Sequence, residues 1–252
     1  MPSTSISSKN VSQIWASKIQ DIFPDIDLIF SSETYGNYLA EFLHCKHISF
    51  DPERMMNKIS ATEIRENTLK HWNYIAASAR PYFVKKVCIY GTESTGKSTL
   101  AKRLATHYQT DFVPEMARCI IEETDECTEQ HLLQIAELQA KTIKEKLKTA
   151  NKILFVDADL NITRSYSKFL FGNELTVPNW IEEVNQFDLF IYLDTDAPHI
   201  QDGTRLDNQR RNELNVFHKK ELTGKAIKFE LITGDWQQRF EKTVSIIDKL
   251  WV

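Results

Sequence analysis

The stretch Gly91-Thr92-Glu93-Ser94-Thr95-Gly96-Lys97-Ser98 limits what this chain can fold into more than any other part of it. It follows the apolar run Val87-Cys88-Ile89-Tyr90 and leads through Thr99 and Leu100 into a helical pattern. The spacing is G-x-x-x-x-G-K-[ST], a strand, a tight turn and a helix start. Glycines let the turn curl so that successive backbone N–H groups face one point. The partial positive charge of a helix N-terminus then favours an anion there. Lys97 is placed to reach the β- and γ-phosphates of a nucleotide, and the Ser98 hydroxyl to ligate Mg²⁺. The sequence therefore predicts an ATP site built from Gly91 to Thr99, with Mg²⁺ as its companion ion.

A chain of 252 residues has room for one large or two small domains. With 42% hydrophobic and 26% charged residues it reads as a soluble globular protein. A net charge of −4 gives no electrostatic reason to expect nucleic acid or an anionic membrane as partner. No apolar run approaches the ~20 residues that span a bilayer, and the polar first ten residues lack a signal-peptide core. Cys45, Cys88, Cys119 and Cys127 have no C-x-x-C spacing, and Cys88 lies in a strand expected to be buried. Free thiols in a reducing cytoplasm are the expectation.

Before the phosphate loop, residues 11–23 carry a helical pattern stopped by Pro24. Leu28-Ile29-Phe30 suits a short buried strand, 35–43 a helix, and Ile48-Ser49-Phe50 a further strand ended by Asp51-Pro52. Ser60 with Glu63 three residues on forms a candidate capping box. Arg80-Pro81 marks a boundary between residues 1–80 and 81–252. Beyond it, strands are expected at 84–90, 111–113, 152–157, 187–194 and 227–232. Leu100, Leu104 and Ala105 give the helix after the phosphate loop its core face, and a helix is expected at 236–250. The long helix 128–149 carries Leu133, Ala136, Ala140, Ile143 and Leu147 as its apolar stripe. Five strands alternating with helices make an α/β domain with a parallel sheet and flanking helices. Ligands of such sheets lie beyond the carboxyl ends of the strands, where the phosphate loop, Glu115, Asp157 and Asp194 all fall.

Phosphoryl transfer is mostly positioning and electrostatics. Asp157, closing the run Ile153-Leu154-Phe155-Val156, is placed to hold Mg²⁺ directly or through water. Asp159 could accept a proton from an attacking hydroxyl, and Glu115 competes for a substrate role. Each carboxylate has a plainer reading as well, solvated or capping the next helix. The segment Gln201 to Arg211, with Arg205 and Arg210, sits where small phosphotransferases carry a lid whose arginines close on phosphates and exclude water.

Two resemblances follow. Asp27 to Glu33 with Ile59 to Arg65 resembles the second half of a nicotinamide-nucleotide adenylyltransferase, with Ser60, Thr62 and Arg65 matching that family's I-S-x-T-x-x-R phosphate segment. The H-x-G-H loop of the other half does not occur; His44-Cys45-Lys46-His47 lacks the glycine. The fold expected before residue 81 is thus a partial nucleotidyltransferase-like α/β segment with a vestigial motif. Adenylyl transfer by this chain alone is not expected.

From Val84 onward the chain resembles the kinase domain of NadR-type proteins, which join an adenylyltransferase to a ribosylnicotinamide kinase. The resemblance rests on the phosphate loop, Pro114-Glu115-Met116-Ala117-Arg118, Phe155-Val156-Asp157-Ala158-Asp159 and Asp202-Gly203-Thr204-Arg205, in that order. It implies a kinase that uses ATP and Mg²⁺ to phosphorylate the 5′-hydroxyl of nicotinamide riboside, giving the mononucleotide in cytoplasmic NAD salvage. It implies Lys97, Asp157, Asp159 and Arg205 as catalytic residues, Glu115, Arg118 and Asp159 on the substrate, Arg210 on ATP, and Ser98 with Asp157 on the metal. Met116 stands where the family usually has an aromatic, and the helix-turn-helix module of some members is absent from the sequence. An ATP-binding regulatory protein and a kinase for another nucleoside remain open at this stage, as does a homo-oligomer.

Overall fold

The structure, a computed structural model, describes residues 9–56, 58–121, 127–196 and 207–251. It divides into two units, one ending at Tyr74 and the other beginning at Ile75.

The first unit contains α1 (Lys9–Ile22), β1 (Leu28–Ser31), α2 (Tyr35–Leu43), β2 (Lys46–Ser49) and α3 (Ala61–Glu66). β1 and β2 pair in parallel, Leu28 opposite Lys46 through Ser31 opposite Ser49. β2 begins two residues before the apolar triplet 48–50 and ends one residue short of it. The ladder sets its limits: Lys46 N–H donates to Asp27 O at 3.0 Å and Phe50 N–H to Ser31 O at 3.0 Å. Polar side chains are tolerated because both strands are at best half-buried. α3 opens with the expected capping box: Glu63 N–H donates to Ser60 Oγ at 3.1 Å, and Ser60 N–H to Glu63 Oε2 at 2.7 Å.

The second unit is a five-stranded, wholly parallel sheet in the order β4-β5-β3-β6-β7. Its elements are β3 (Lys85–Tyr90), α4 (Lys97–His107), β4 (Phe112–Val113), α5 (Glu129–Leu147), β5 (Ile153–Asp157), α6 (Leu160–Phe171), α7 (Asn179–Val184), β6 (Leu189–Leu193), α8 (Asn208–Gly224), β7 (Glu230–Ile232) and α9 (Trp236–Trp251). β3 is central. The chain leaves it for β4 and β5 on one side and returns for β6 and β7 on the other, so the winding reverses at the carboxyl end of β3.

Alternation along each strand divides the core in two. Val87, Ile89, Phe155, Ile191 and Leu193 face α4 and α9, meeting Leu100, Leu104 and Ile247. Cys88, Tyr90, Phe190 and Tyr192 face the other way, meeting Ile162 and Leu222. Burial on both faces is why these strands read as unbroken apolar runs. β7 is shorter than the run 227–232. Ile227 and Phe229 pack against the second layer, and the ladder starts only at Glu230, opposite Ile191. On α5 the buried face is Leu132, Ile135, Ala136, Gln139, Ala140 and Ile143, turned from the expected stripe, which gave Leu133 and Leu147 that place. The turn arises because Leu132, Ile135, Ala136 and Ala140 pack against Leu160 and Ile181 of α6 and α7, two helices that the strand pattern had not located. Among the described residues no helix is long and apolar enough to cross a membrane.

Leu104 is wholly buried between α4 and the sheet, whereas Leu231 is 48% exposed on β7. Leu104→Ala is expected to cost about 2–5 kcal/mol and Leu231→Ala less than about 1 kcal/mol, read from denaturant midpoints at constant m-value.

Candidate active site

The turn after β3 is shaped by its carbonyls. Thr95 Oγ1 and Lys97 Nζ donate to Thr92 O at 2.8 and 3.1 Å. Arg211 of α8 donates through Nε to Glu93 O at 2.9 Å and reaches Ser94 O at 3.5 Å. Arg239 of α9 donates through Nη1 to Thr95 O at 2.8 Å. A trans peptide is planar, with N–H and C=O on opposite sides. Partners on the four carbonyls of Thr92 to Thr95 therefore fix those peptide planes, and with them the orientation of the N–H groups that follow. Gly91 (φ 142°) and Gly96 (φ 85°) occupy backbone regions that favour glycine. A Cβ at Gly91 would come within 2.7 Å of the Leu193 carbonyl.

Lys97 begins α4 and is buried. Next to it, the Ser98 hydroxyl donates to Asp157 Oδ2 at the end of β5. Asp157 Oδ1 is buried with no hydrogen-bond partner among the described residues. Burial, then the nearby Glu115 carboxylate, pushes Asp157 up to about 6, against the opposing pull of Lys97, Ser98 and Arg118. Asp159 caps α6: Oδ1 accepts from Ile162 N–H at 3.1 Å and Oδ2 from Asn161 Nδ2 at 2.7 Å. Its burial also raises it to about 6, with those hydrogen bonds opposing. The capping reading of Asp159 is thus realised. Asp159 also lines a cleft with Glu93, Glu115, Met116, Gln139 and Tyr166. Tyr166 Oη donates to Glu93 Oε1 at 3.0 Å.

The remaining expected residues fall in different places. Asp194 is committed elsewhere, to Lys219 through both oxygens at 3.0 Å. Burial would raise it, but Lys219, Thr195 N–H and Asn215 outweigh that and hold it below the usual carboxylate range. Arg118 is exposed in a short 3₁₀ turn. Arg205 and Asp202-Gly203-Thr204 lie outside the described residues. Residues 208–211, expected as loop, form the first turn of α8, capped by Asp207, whose side chain accepts from Arg210 N–H. There Arg210 is exposed, while Arg211, 2% exposed, is the arginine on the phosphate loop. Thr99 is an exposed residue of α4. In the first unit, Ser60 caps α3 and Arg65 Nη2 lies 3.5 Å from Thr62 Oγ1. Arg211 falls in the segment expected to carry lid arginines, but its contact with the back of the phosphate loop does not follow from sequence. No local motif marks Arg239, Gln139 or Tyr166, since their contacts join residues far apart in the chain.

The raised Asp157 has a consequence for stability. Between its ordinary value of 3.8 and about 6 the folded chain keeps a proton that the unfolded chain has released. Stability falls as pH rises through that window and stays lower above it. Without nucleotide or metal, Asp157→Asn keeps an acceptor for Ser98 and removes the buried charge. It is expected to melt above the wild type at pH 7–8, by on the order of 2 kcal/mol, with the difference closing toward pH 4. Equal melting curves at every pH would contradict the buried-charge assignment.

The chain is 31% identical over 235 residues to the trifunctional NAD biosynthesis/regulator protein NadR of Escherichia coli (strain K12), covering 89% of this chain and 57% of that protein. With the Salmonella typhimurium (strain LT2) protein of the same description it shares 32% over 230 residues, 87% of this chain and 56% of that one. It thus spans just over half the length of these relatives. Among solved structures, a NadR protein in complex with NR superposes with a TM-score of 0.71 at 22% identity, covering 94% of this chain and 73% of that one. A NadR protein in complex with NAD and AMP-PNP gives 0.70 at 21%, covering 100% and 75%. Thymidylate kinase from Candida albicans gives 0.50 at 14%, covering 66% and 92%. These likenesses establish the α/β fold with its parallel sheet and flanking helices. The AAA-domain family model matches residues 86–239, more than half of the chain, from the second residue of β3 to the arginine that clamps Thr95. The chain belongs to that AAA-domain family.

Proposed function

We propose that the unit carrying the phosphate loop is an ATP-dependent ribosylnicotinamide kinase, transferring the γ-phosphoryl group to the 5′-hydroxyl of nicotinamide riboside. The observation that carries this reading is the Ser98–Asp157 pair with its unsatisfied Oδ1, beside a cleft lined by Glu93, Glu115, Asp159 and Tyr166. Similarity to the NadR relatives supports the choice of substrate; on this reading the reaction is a step of NAD salvage in the cytoplasm.

Magnesium fits the residues present. Among the described residues no group of three or more His, Cys, Asp or Glu could hold a metal alone. A hard cation at this position takes oxygen from Ser98 and Asp157 and the rest from phosphate and water. Held by Ser98 and Asp157, such an ion would supply positive charge against the nucleotide's phosphates. Lys97 exchanges its bond to Thr92 O for the phosphates, while the loop N–H groups hold them. Glu115 and Asp159 face the riboside, and Arg118 is a further substrate-binding residue on this reading. Asp159, raised toward neutrality by burial, accepts the 5′-hydroxyl proton. Tyr166 is the aromatic among the described residues lining the cleft and supplies the flat wall that Met116 does not. Arg205 and Arg210 close on ATP as lid arginines. Ser60, Thr62 and Arg65 are a remnant motif, and no NAD is expected from ATP and the mononucleotide with this chain alone.

ADP release measured against a panel of nucleosides tests the reading, which predicts turnover with nicotinamide riboside. ATP binding without turnover on any nucleoside would instead identify a regulatory protein. Lys97→Ala and Lys97→Arg are both expected to abolish turnover without unfolding the chain, because a planar guanidinium does not replace a point charge in a tight loop. Asp159→Asn should cost about 10²–10⁴-fold in kcat with ATP affinity retained. Glu115→Gln should raise the riboside KM or lower kcat while ATP binding holds. Indistinguishable kinetics for the last two variants would refute the division of roles.

A further inference from the structure

We infer that Gln139 of α5 is a positioning residue whose amide sets the metal-side and substrate-side carboxylates relative to one another; this rests on the proposed kinase reading. Gln139 is 5% exposed and sits in the apolar face of α5 between Ala136 and Ala140. A buried amide in such a stripe is costly unless its groups are bonded. Here they reach two strand ends at once. Nε2 donates to Asp157 O and Ala158 O, each at 3.2 Å, and Oε1 accepts from Met116 N–H at 3.1 Å. Carbonyls only accept and an N–H only donates, so the amide orientation follows from its neighbours. One side chain thus joins the end of β5 to the residue after Glu115.

The backbone explains why β5 needs such a hold. In an extended strand, residues i and i+2 share a face, which would send Asp157 and Asp159 to the same side. Ala158 instead has φ +69°, in the left-handed region that a Cβ disfavours. That bend delivers Asp157 to Ser98 and Asp159 to the cap of α6 inside the cleft. It is pinned at both of its polar backbone groups: Ala158 N–H donates to Ile89 O at 3.2 Å, and Ala158 O accepts from Gln139. Met116 N–H, on the same amide, fixes the chain that carries Glu115.

The test uses the full chain with Gln139→Met, which keeps the bulk and loses the three bonds. Gln139→Asn, too short to span both strand ends, takes its place if the first variant does not fold. Calorimetric binding of the slowly hydrolysed analogue ATPγS across a Mg²⁺ titration should show the Mg²⁺ half-saturation concentration raised about 10–100-fold, with metal-free nucleotide binding unchanged. The riboside KM should rise as well. Adding Ala158→Gly, which adopts φ +69° without steric cost, should recover part of the Mg²⁺ response. Ile143→Val, one turn further along the buried face, should lower the melting temperature and move neither constant. Wild-type Mg²⁺ and riboside constants in the Gln139 variant would overturn the inference, as would a loss that Ala158→Gly leaves untouched. The binding arm needs no riboside. Failure of the wild type to phosphorylate that nucleoside would count against the kinase reading alone.

Discussion

The binding surface depends on where the carbonyls of Thr92 to Thr95 go. A turn that presents N–H groups to an anion must find partners for the oxygens on its back, and buried oxygens without partners are costly. Here Thr95, Lys97, Arg211 and Arg239 take them. The two arginines are among the most buried large side chains of the chain. Arg239 also bonds Gly234 O and Asp194 O and pairs with Asp196, so one guanidinium joins the phosphate loop to the ends of β6 and β7. A lysine, with its compact charge and rotatable donors, does not reproduce that fork.

Burial pushes Asp157, Asp159 and Asp194 around this turn upward, but the net outcome differs between them. Asp157 and Asp159 are almost wholly excluded from water, and both are raised. Asp194 gains enough hydrogen bonds and charge from Lys219 to be lowered despite partial burial. The contrast separates a carboxylate matched to a protein cation from carboxylates that are not. Asp157 keeps one oxygen on Ser98, and its other oxygen has no hydrogen-bond partner among the described residues. His218, wholly buried against Ser165 and the rings of Tyr90 and Tyr166, is depressed to about 3 by burial and then by Lys97. It stays neutral, so the layer behind the site contributes no titrating charge near neutral pH.

β3, β5 and β6 were legible because each carries an apolar run buried on both faces, and the phosphate loop because its constraint is local. The limits of β2 and β7 were not, since ladder partners rather than hydropathy set them. The face of α5 was misjudged because it serves α6 and α7 as well as the sheet. Within the site, Asp157 and Ser98 could be expected in one crevice because both lie at carboxyl ends of strands, and the structure brings them into contact. Arg211, Arg239 and Gln139 could not. Arg211 meets its carbonyl across 118 positions and Arg239 across 144, and Gln139 is a glutamine where a helix pattern calls for an apolar residue.

The span of these clamps bears on how the molecule is made. Arg239 lies on α9, yet it fixes the carbonyl of Thr95. A growing chain exposes the glycine-rich turn more than a hundred residues before α9 is synthesised. At about 5–20 residues per second, that leaves several seconds in which the motif exists without its clamp. During that interval the carbonyl of Thr95 lacks its partner on α9. The described form of the turn would therefore follow completion of the sheet rather than the emergence of the motif.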